Sequence, residues 1–240
     1  MIKNRNIQKK RKYFRFKPPR IPQKMANCGG SSVWTWHRLH GRWKKESFME
    51  MSFEERAGLC ALNRIFGFEP KIGLRLVEEA GSAEEVFRKP EEAGRILGPR
   101  PRLKYAPLIT GSAFESAAME LEDLQRSGCR FVGIGEKGYP ALLMECEDPP
   151  LGLYYKGISP PEDVFEGLPQ VAVVGTRGLT YYGKDWCRRI VAAMSRAKVK
   201  PLVVSGLALG VDVTAHRVAL ESGLPTVAVI ISVSHTTRPR

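Results

Sequence analysis

Acidic residues are missing from the first 45 positions of this chain, which carry 14 of its 38 lysine and arginine residues. The remaining 195 residues therefore hold 24 basic and 25 acidic side chains, so the formal net charge of +13 comes from the amino-terminal segment. A nucleic-acid surface on the rest of the chain would have to be a local basic patch rather than a global positive field.

Long apolar runs and patterned cysteines are also missing. No stretch approaches 18 uninterrupted apolar residues, so no transmembrane helix and no membrane partner are indicated. The cysteines are odd in number and lack C-x-x-C spacing: Cys28, Cys60, Cys129, Cys146 and Cys187. That usage suits a reducing compartment and argues against a disulfide framework or a zinc site, so we expect a cytoplasmic protein that holds no metal.

The most strongly patterned part of the chain is residues 171–216. An apolar run at 171–174 is followed by a glycine-rich turn and a helical pattern, and a second run at 202–204 is followed by another small-residue turn and helix. Residues 225–231 read as a third strand. Short apolar runs that alternate with helices predict an α/β fold, a Rossmann-like doubly wound parallel sheet.

Ligands of such sheets bind at the carboxyl ends of the strands, where this chain places its two turns. Glycines allow close approach to a ligand, amides at helix starts favour an anion, and an arginine fork suits phosphate. The candidate phosphate-binding residues are Gly175, Thr176, Arg177, Gly178, Ser205, Gly206 and Gly210. The dinucleotide and P-loop fingerprints are both missing, so we expect no cofactor. The alternative is that these are ordinary tight turns with a surface arginine.

Asp212 and His216 lie four residues apart on one face of the second helix. An acid–base pair or half of a metal site is conceivable, but no third partner is visible. The favoured interpretation is structural: Asp212 complements the helix dipole and His216 packs or hydrogen-bonds beside it. No catalytic residue is predicted.

Three blocks together carry a family resemblance. The stretches VAVVGTRGLTYYG and VVSGLALGVDVTAHRVAL, with a lead-in at residues 138–157, resemble the DNA-processing protein A family, also called DprA or Smf. The resemblance extends over roughly residues 52–230. It implies a non-enzymatic protein of natural transformation that binds single-stranded DNA and hands it to a RecA-type recombinase. Leu209 departs from the family, because many members carry a lysine or arginine there.

The predicted domains are a basic, disordered arm at 1–48, a helical module at 49–98, a linker at 99–111 and the Rossmann-like domain at 112–240. In the family the module is SAM-like or helix-hairpin-helix-like, and here a docking role is favoured over DNA contact. Capping boxes that start at Ser52, Ser82 and Ser112 predict helix starts. Strands at 130–134 and 151–156 are expected to extend one edge of the main sheet.

The carboxyl end departs from the family pattern, since residues 232–240 show no core periodicity. We therefore expect a truncated domain with an uncovered apolar sheet surface, poor solubility, and loss of the family's homodimer.

Two alternatives to DNA binding stay open. One is a phosphoribohydrolase-like nucleotide-processing enzyme, whose P-G-G-x-G-T-x-x-E block is missing. The other is a non-functional remnant. The arm has its own alternatives: its aromatics could stack on bases, or it could be a tail with no specific role.

Overall fold

The structure is a computed structural model that describes residues 51–230 in full and, before them, only the backbone of two strands. These are β1 (Trp34–Leu39) and β2 (Arg42–Ser47), which pair antiparallel with Trp34 opposite Ser47. The irregular sequence of the arm did not predict this hairpin. The remainder of the arm and its candidate stacking side chains lie outside the described residues.

A helical module opens the fully described part of the chain. Its helices are α1 (Phe53–Ile65), α2 (Pro70–Ala80), α3 (Ala83–Arg88), α4 (Pro90–Leu97), α5 (Pro99–Tyr105) and α6 (Gly111–Arg126), with a 3-10 turn at Ala106–Leu108. Prolines stand in the first turn of α2, α4 and α5, where the missing N–H has no intrahelical partner to lose.

The first ten residues of the predicted linker at 99–111 are helical in the structure. The prolines that resembled a linker start a helix instead. The helix is held because Tyr105 is buried, with its ring centroid 4.5 Å from that of Phe66. The division of the chain into domains stays a prediction.

Two of the three predicted helix starts are confirmed. Ser52 and Ser82 cap α1 and α3 by accepting the amides of Glu55 and Glu85 at 3.0 and 3.1 Å. The start at Ser112 is wrong by two residues, because Thr110 is the cap of α6 and accepts the amide of Ala113 at 3.2 Å.

The core of the module continues into a two-stranded antiparallel sheet, β3 (Arg130–Gly133) and β4 (Gly152–Tyr155). Phe131 and Leu151 are buried in the same cluster as residues of α1, α3 and α6. The prediction that these strands extend the main sheet is wrong: they pair with each other and pack on α1 and α6.

The main sheet has three parallel strands in the order β5 (Gln170–Ala172), β6 (Leu202–Ser205) and β7 (Thr226–Ala228). They are joined by α9 (Tyr181–Met194) and α10 (Val211–Glu221), and two short helices, α7 (Ala141–Met144) and α8 (Pro161–Phe165), precede them. This strand–helix alternation confirms the predicted α/β class, a Rossmann-like parallel sheet behind a helical module.

Both crossover helices pack on one face of the sheet. Cys187 and Val191 of α9 share a buried cluster with Val203 of β6 and Ala215 of α10. The register sets Ala172, Val204 and Val227 side by side, so they share the face turned away from those helices. Between residues 51 and 230, no helix has the length and apolar character that a bilayer crossing requires.

Candidate phosphate-binding site

The two predicted turns lie side by side at the carboxyl end of the parallel sheet. One follows β5 and leads into α9, and the other follows β6 and leads into α10. They are joined directly, because the Val211 amide donates to the Thr176 carbonyl at 3.2 Å. The structure thus brings together the two halves that the sequence predicted as one anion site.

Two glycines make this contact between the turns possible. Gly210 has φ +94°, and a Cβ there would overlap the carbonyl oxygen of Thr176. A Cβ on Gly175 would lie 2.5 Å from Cγ2 of Val211. Each turn therefore approaches the backbone or side chain of the other through a glycine.

The turn after β5 presents unused donors to solvent. Arg177 is exposed, and its side chain makes no hydrogen bond or ion pair with any residue between 51 and 230. Within the same span, the amides of Gly175, Thr176 and Arg177 donate to no protein group. The Thr176 hydroxyl accepts the Gly178 amide at 3.1 Å, which fixes the shape of the turn. An exposed guanidinium beside free amides suits an anionic oxygen ligand.

Ser205 is placed differently from the other predicted residues. Its side chain is buried, and its hydroxyl donates to the Val173 carbonyl at 2.6 Å. Its carbonyl accepts the Val229 amide at 2.8 Å. The hydroxyl therefore ties β6 to β5 and is not directed toward a ligand.

His216 links three elements rather than serving as a free base. Its Nε2 donates to the Gly206 carbonyl at 2.6 Å, and its Nδ1 lies 2.7 Å from Oγ1 of Thr226. The Thr226 hydroxyl in turn donates to the Val203 carbonyl at 3.0 Å. Both ring nitrogens are engaged within the fold, so the structural interpretation of His216 is confirmed.

Asp212 occupies the first turn of α10 and is 7% exposed. Its Oδ2 lies close to Gly206, where a Cβ would come within 2.7 Å of it, and its Oδ1 has no hydrogen-bond partner among the described groups. No hydrogen bond joins Asp212 to His216 in this part of the chain. A carboxylate at this position already complements the positive end of α10, so a phosphate is better placed at the turn before α9.

The aromatic side chains that follow the β5–α9 turn are not among the residues predicted for the site from the sequence. Tyr181 and Tyr182 are 91% and 71% exposed in the first turn of α9. Trp186, one turn later, lies with its ring centroid 6.1 Å from that of Tyr182. The spacing of four residues between Tyr182 and Trp186 places both rings on one face of an amphipathic helix, and this pattern can be recognised in the sequence.

Reactive groups elsewhere in the described residues are not gathered into a comparable site. Burial raises the pKa of the Cys60 thiol to about 11, which keeps it protonated and unreactive near neutral pH. Cys60, Cys129, Cys146 and Cys187 form no disulfide there, and Cys28 lies outside the described residues. A cleft beside Arg56, Glu136 and Lys137 contains none of the predicted site residues.

Comparison with known proteins gives a consistent family assignment. The model of the family described as DNA recombination-mediator protein A matches residues 130–240. Protein Smf of Synechocystis sp. is 36% identical over 182 residues, which is 75% of this chain and 45% of that protein. DNA processing protein DprA of Streptococcus pneumoniae is 39% identical over 92 residues, which is 38% of this chain and 30% of that protein.

A solved structure extends the likeness to the fold. The X-ray structure of DNA processing protein A (DprA) from Streptococcus pneumoniae matches with a TM-score of 0.51 and 25% identity, covering 78% of this chain and 62% of that one. The chain thus spans less than half the length of the two curated relatives named above.

Proposed function

Because the chain belongs to the DNA recombination-mediator protein A family, also called DprA or Smf, we propose that it binds single-stranded DNA without sequence preference. The binding would serve DNA uptake in natural transformation. The partner that receives the DNA would be a RecA-type recombinase, and the protein would work in the cytoplasm. The family name supports a role in DNA processing for recombination, and the site chemistry supports the ligand.

The observation that carries this proposal is the turn between β5 and α9. It combines an exposed arginine with the free amides of residues 175–177, and it lies at the carboxyl edge of a parallel sheet. Backbone phosphate is the part of DNA that such a turn recognises, and phosphate contacts carry no sequence information. Binding would therefore be tolerant of sequence.

The second turn supports the first rather than adding charge. Leu209 is 75% exposed and offers no cation. Gly206 and Gly210 position α10 against Thr176, as described above. We therefore propose that Arg177 is the principal cation of the site, assisted by Gly175, Thr176 and Gly178, while Ser205, Gly206 and Gly210 act through the backbone.

We propose binding rather than catalysis, and self-association of the chain as a further property. Binding rather than catalysis is supported by two sets of hydrogen bonds. His216 is hydrogen-bonded to Gly206 and Thr226, and Ser205 to Val173, so neither side chain is free to act as a base or nucleophile. In support of self-association, Ala172, Val174 and Val229 are exposed at the face of the parallel sheet that is turned away from α9 and α10.

The proposal is tested by measuring the affinity of the full chain for a fluorescently labelled oligothymidine over a series of salt concentrations. The logarithm of the affinity should fall linearly with the logarithm of salt concentration, by about 0.7 per phosphate contact. Arg177→Ala should weaken binding by about 1.5–3 kcal/mol and reduce that slope by roughly one contact. Arg177→Lys should restore only part of the loss, because the bidentate fork is gone.

The basic arm at residues 1–45 would contribute salt-dependent affinity of its own in every variant. Arg177→Ala is therefore compared with a variant that loses one positive charge elsewhere and keeps the arm. Arg196→Ala removes the same charge just beyond the carboxyl end of α9, where the exposed side chain makes no hydrogen bond to residues 51–230. It should bind like the unmodified chain. A folded Arg177→Ala protein that also binds like the unmodified chain would eliminate the proposed site.

A further inference from the structure

We infer that the exposed aromatic stripe of α9, formed by Tyr182 and Trp186 with Arg189, is a stacking platform for the bases of the bound single strand. The inference rests on the proposed phosphate site and adds a second recognition element to it. Its ligand class is the unstacked nucleobase. Nothing in a phosphate-binding turn by itself distinguishes a single strand from a duplex, and base stacking supplies that distinction.

The stripe lies on the surface of α9 opposite the core. Cys187 and Val191 form the buried side of the helix, whereas Tyr182, Trp186 and Arg189 follow one another at spacings of four and three residues. Tyr182 is 71% exposed and Trp186 is 44% exposed. A single exposed aromatic would be unremarkable, but two in contact on successive turns form a continuous apolar surface.

The two rings are ordered by their neighbours. They meet edge to face, with an interplanar angle of 67°. The guanidinium carbon of Arg189 lies 5.8 Å from the Trp186 ring centroid, and Asp185 holds that guanidinium through an ion pair of 2.9 Å. A ring fixed in this way loses little side-chain entropy when a flat ligand stacks on it.

The position of the stripe identifies a nucleobase as its occupant. Thr180 caps α9 and accepts the Gly183 amide at 3.1 Å, so the first turn of the helix is rigidly attached to the turn that carries Arg177. A strand whose phosphate lies at that turn presents its neighbouring bases to the start of the helix. The flanking charge is favourable too, since Lys184, Arg188 and Arg189 outnumber Asp185 of the same helix and Glu221 of α10, which pairs with Arg188 at 3.5 Å.

The test compares two ligands, a labelled oligothymidine and an abasic deoxyribose-phosphate oligomer of the same length. Tyr182→Ala and Trp186→Ala in the full chain should each lower the affinity for oligothymidine roughly 5- to 100-fold, the range that loss of one base–aromatic stack produces. Neither change should alter the affinity for the abasic oligomer. Trp186→Phe should retain most of the affinity for oligothymidine, because a ring able to stack remains.

Two controls keep the outcomes separate. Val199→Ala removes an exposed apolar side chain outside the stripe and should change neither affinity. Circular dichroism should show all variants folded, since none of the replaced side chains is buried. Quenching of tryptophan fluorescence by oligothymidine should be smaller in Trp186→Phe, which reports contact at this ring.

Failure of this inference differs from failure of the proposed function. If Arg177→Ala weakens binding to oligothymidine while the stripe variants bind it normally, the platform is refuted and the phosphate site stands. Equal losses for oligothymidine and the abasic oligomer would also refute stacking and assign the stripe another role. If the unmodified chain shows no salt-dependent binding, both proposals fall.

Discussion

At the scale of single residues, the two turns depend on glycines where they approach each other and on a buried serine hydroxyl that joins their strands. Gly175, Arg177 and Gly210 could be identified because small residues directly follow apolar runs. Ser205 was assigned to the site although it lies two residues after Val203, and in a strand that spacing places both side chains on the same, helix-covered face. The alternation of side chains along β6 therefore indicates that the Ser205 hydroxyl faces the core and not a ligand.

Gly210 provides the first prediction at this scale. Gly210→Ala should destabilise the fold by about 1–3 kcal/mol, because the positive φ is strained for alanine and the new Cβ overlaps the Thr176 carbonyl oxygen. The measurement is urea unfolding followed by circular dichroism. Gly178→Ala is the matched control, since its Cβ would meet nothing closer than Thr176 Oγ1 at 4.0 Å. Equal stability of the two variants would contradict the argument.

At the scale of elements, helix starts were predictable where a polar cap precedes an apolar pattern, and uncertain where two candidates compete. Thr110 and Ser112 both lie at the start of α6, and the sequence does not distinguish them as caps because each is followed by helix-compatible residues. The pairing of β3 with β4 was out of reach for a different reason. A short apolar run predicts a strand, but its partner is decided by tertiary packing, here of Phe131 against α1 and α6.

Glu55 shows how a local motif can serve a distant element. The capping box predicts that its carboxylate returns to the start of α1, yet the structure directs it to α3, where its two oxygens accept the amides of Ala83 and Glu84 at 2.9 Å each. One carboxylate thus caps the helix that packs against its own.

From this contact we expect Glu55→Ala to lower the free energy of unfolding by about 1–2 kcal/mol, since two amides at the start of α3 lose their acceptor. The free energy of unfolding of Glu55→Gln should lie between those of the unmodified chain and Glu55→Ala, because one amide oxygen replaces two carboxylate oxygens. Glu54→Ala, an exposed neighbour in the same helical turn, should cost much less. Thermal unfolding followed by the helical circular dichroism signal ranks the stability of the three variants. If Glu55→Ala unfolds like the unmodified chain, the cap does not contribute to stability.

At the scale of the whole molecule, the described residues contain separate hydrophobic clusters. One gathers α1 to α6 with Phe131 of β3 and with Leu151, which precedes β4, and another lies between the parallel sheet and its two helices. The sequence suggested this division through its change from closely spaced helices to alternating strands and helices. It also led to the expectation of an uncovered apolar sheet surface. At the sheet face turned away from α9 and α10, Val174 and Val229, just beyond the ends of β5 and β7, are 79% and 59% exposed.

That face leads to a prediction about association. The full chain should self-associate with rising concentration in sedimentation velocity, because an exposed apolar sheet surface is covered when two copies meet. Val174→Lys should shift the distribution toward monomer, whereas Val199→Lys, which adds the same charge at a loop residue of 52% exposure, should not. A monomer at all concentrations would contradict this prediction.

The hydrogen bond from the Val211 amide to the Thr176 carbonyl has a consequence for the order of biosynthesis. The residues that it joins are far apart in sequence, and both β6 and the start of α10 must be in place before Gly210 can seat against Thr176. When Arg177 has just emerged from the ribosome, the turn that carries it has therefore not yet reached its final conformation. The proposed anion site would therefore form late in synthesis and in a single step, when β6 and α10 pack against β5 and α9.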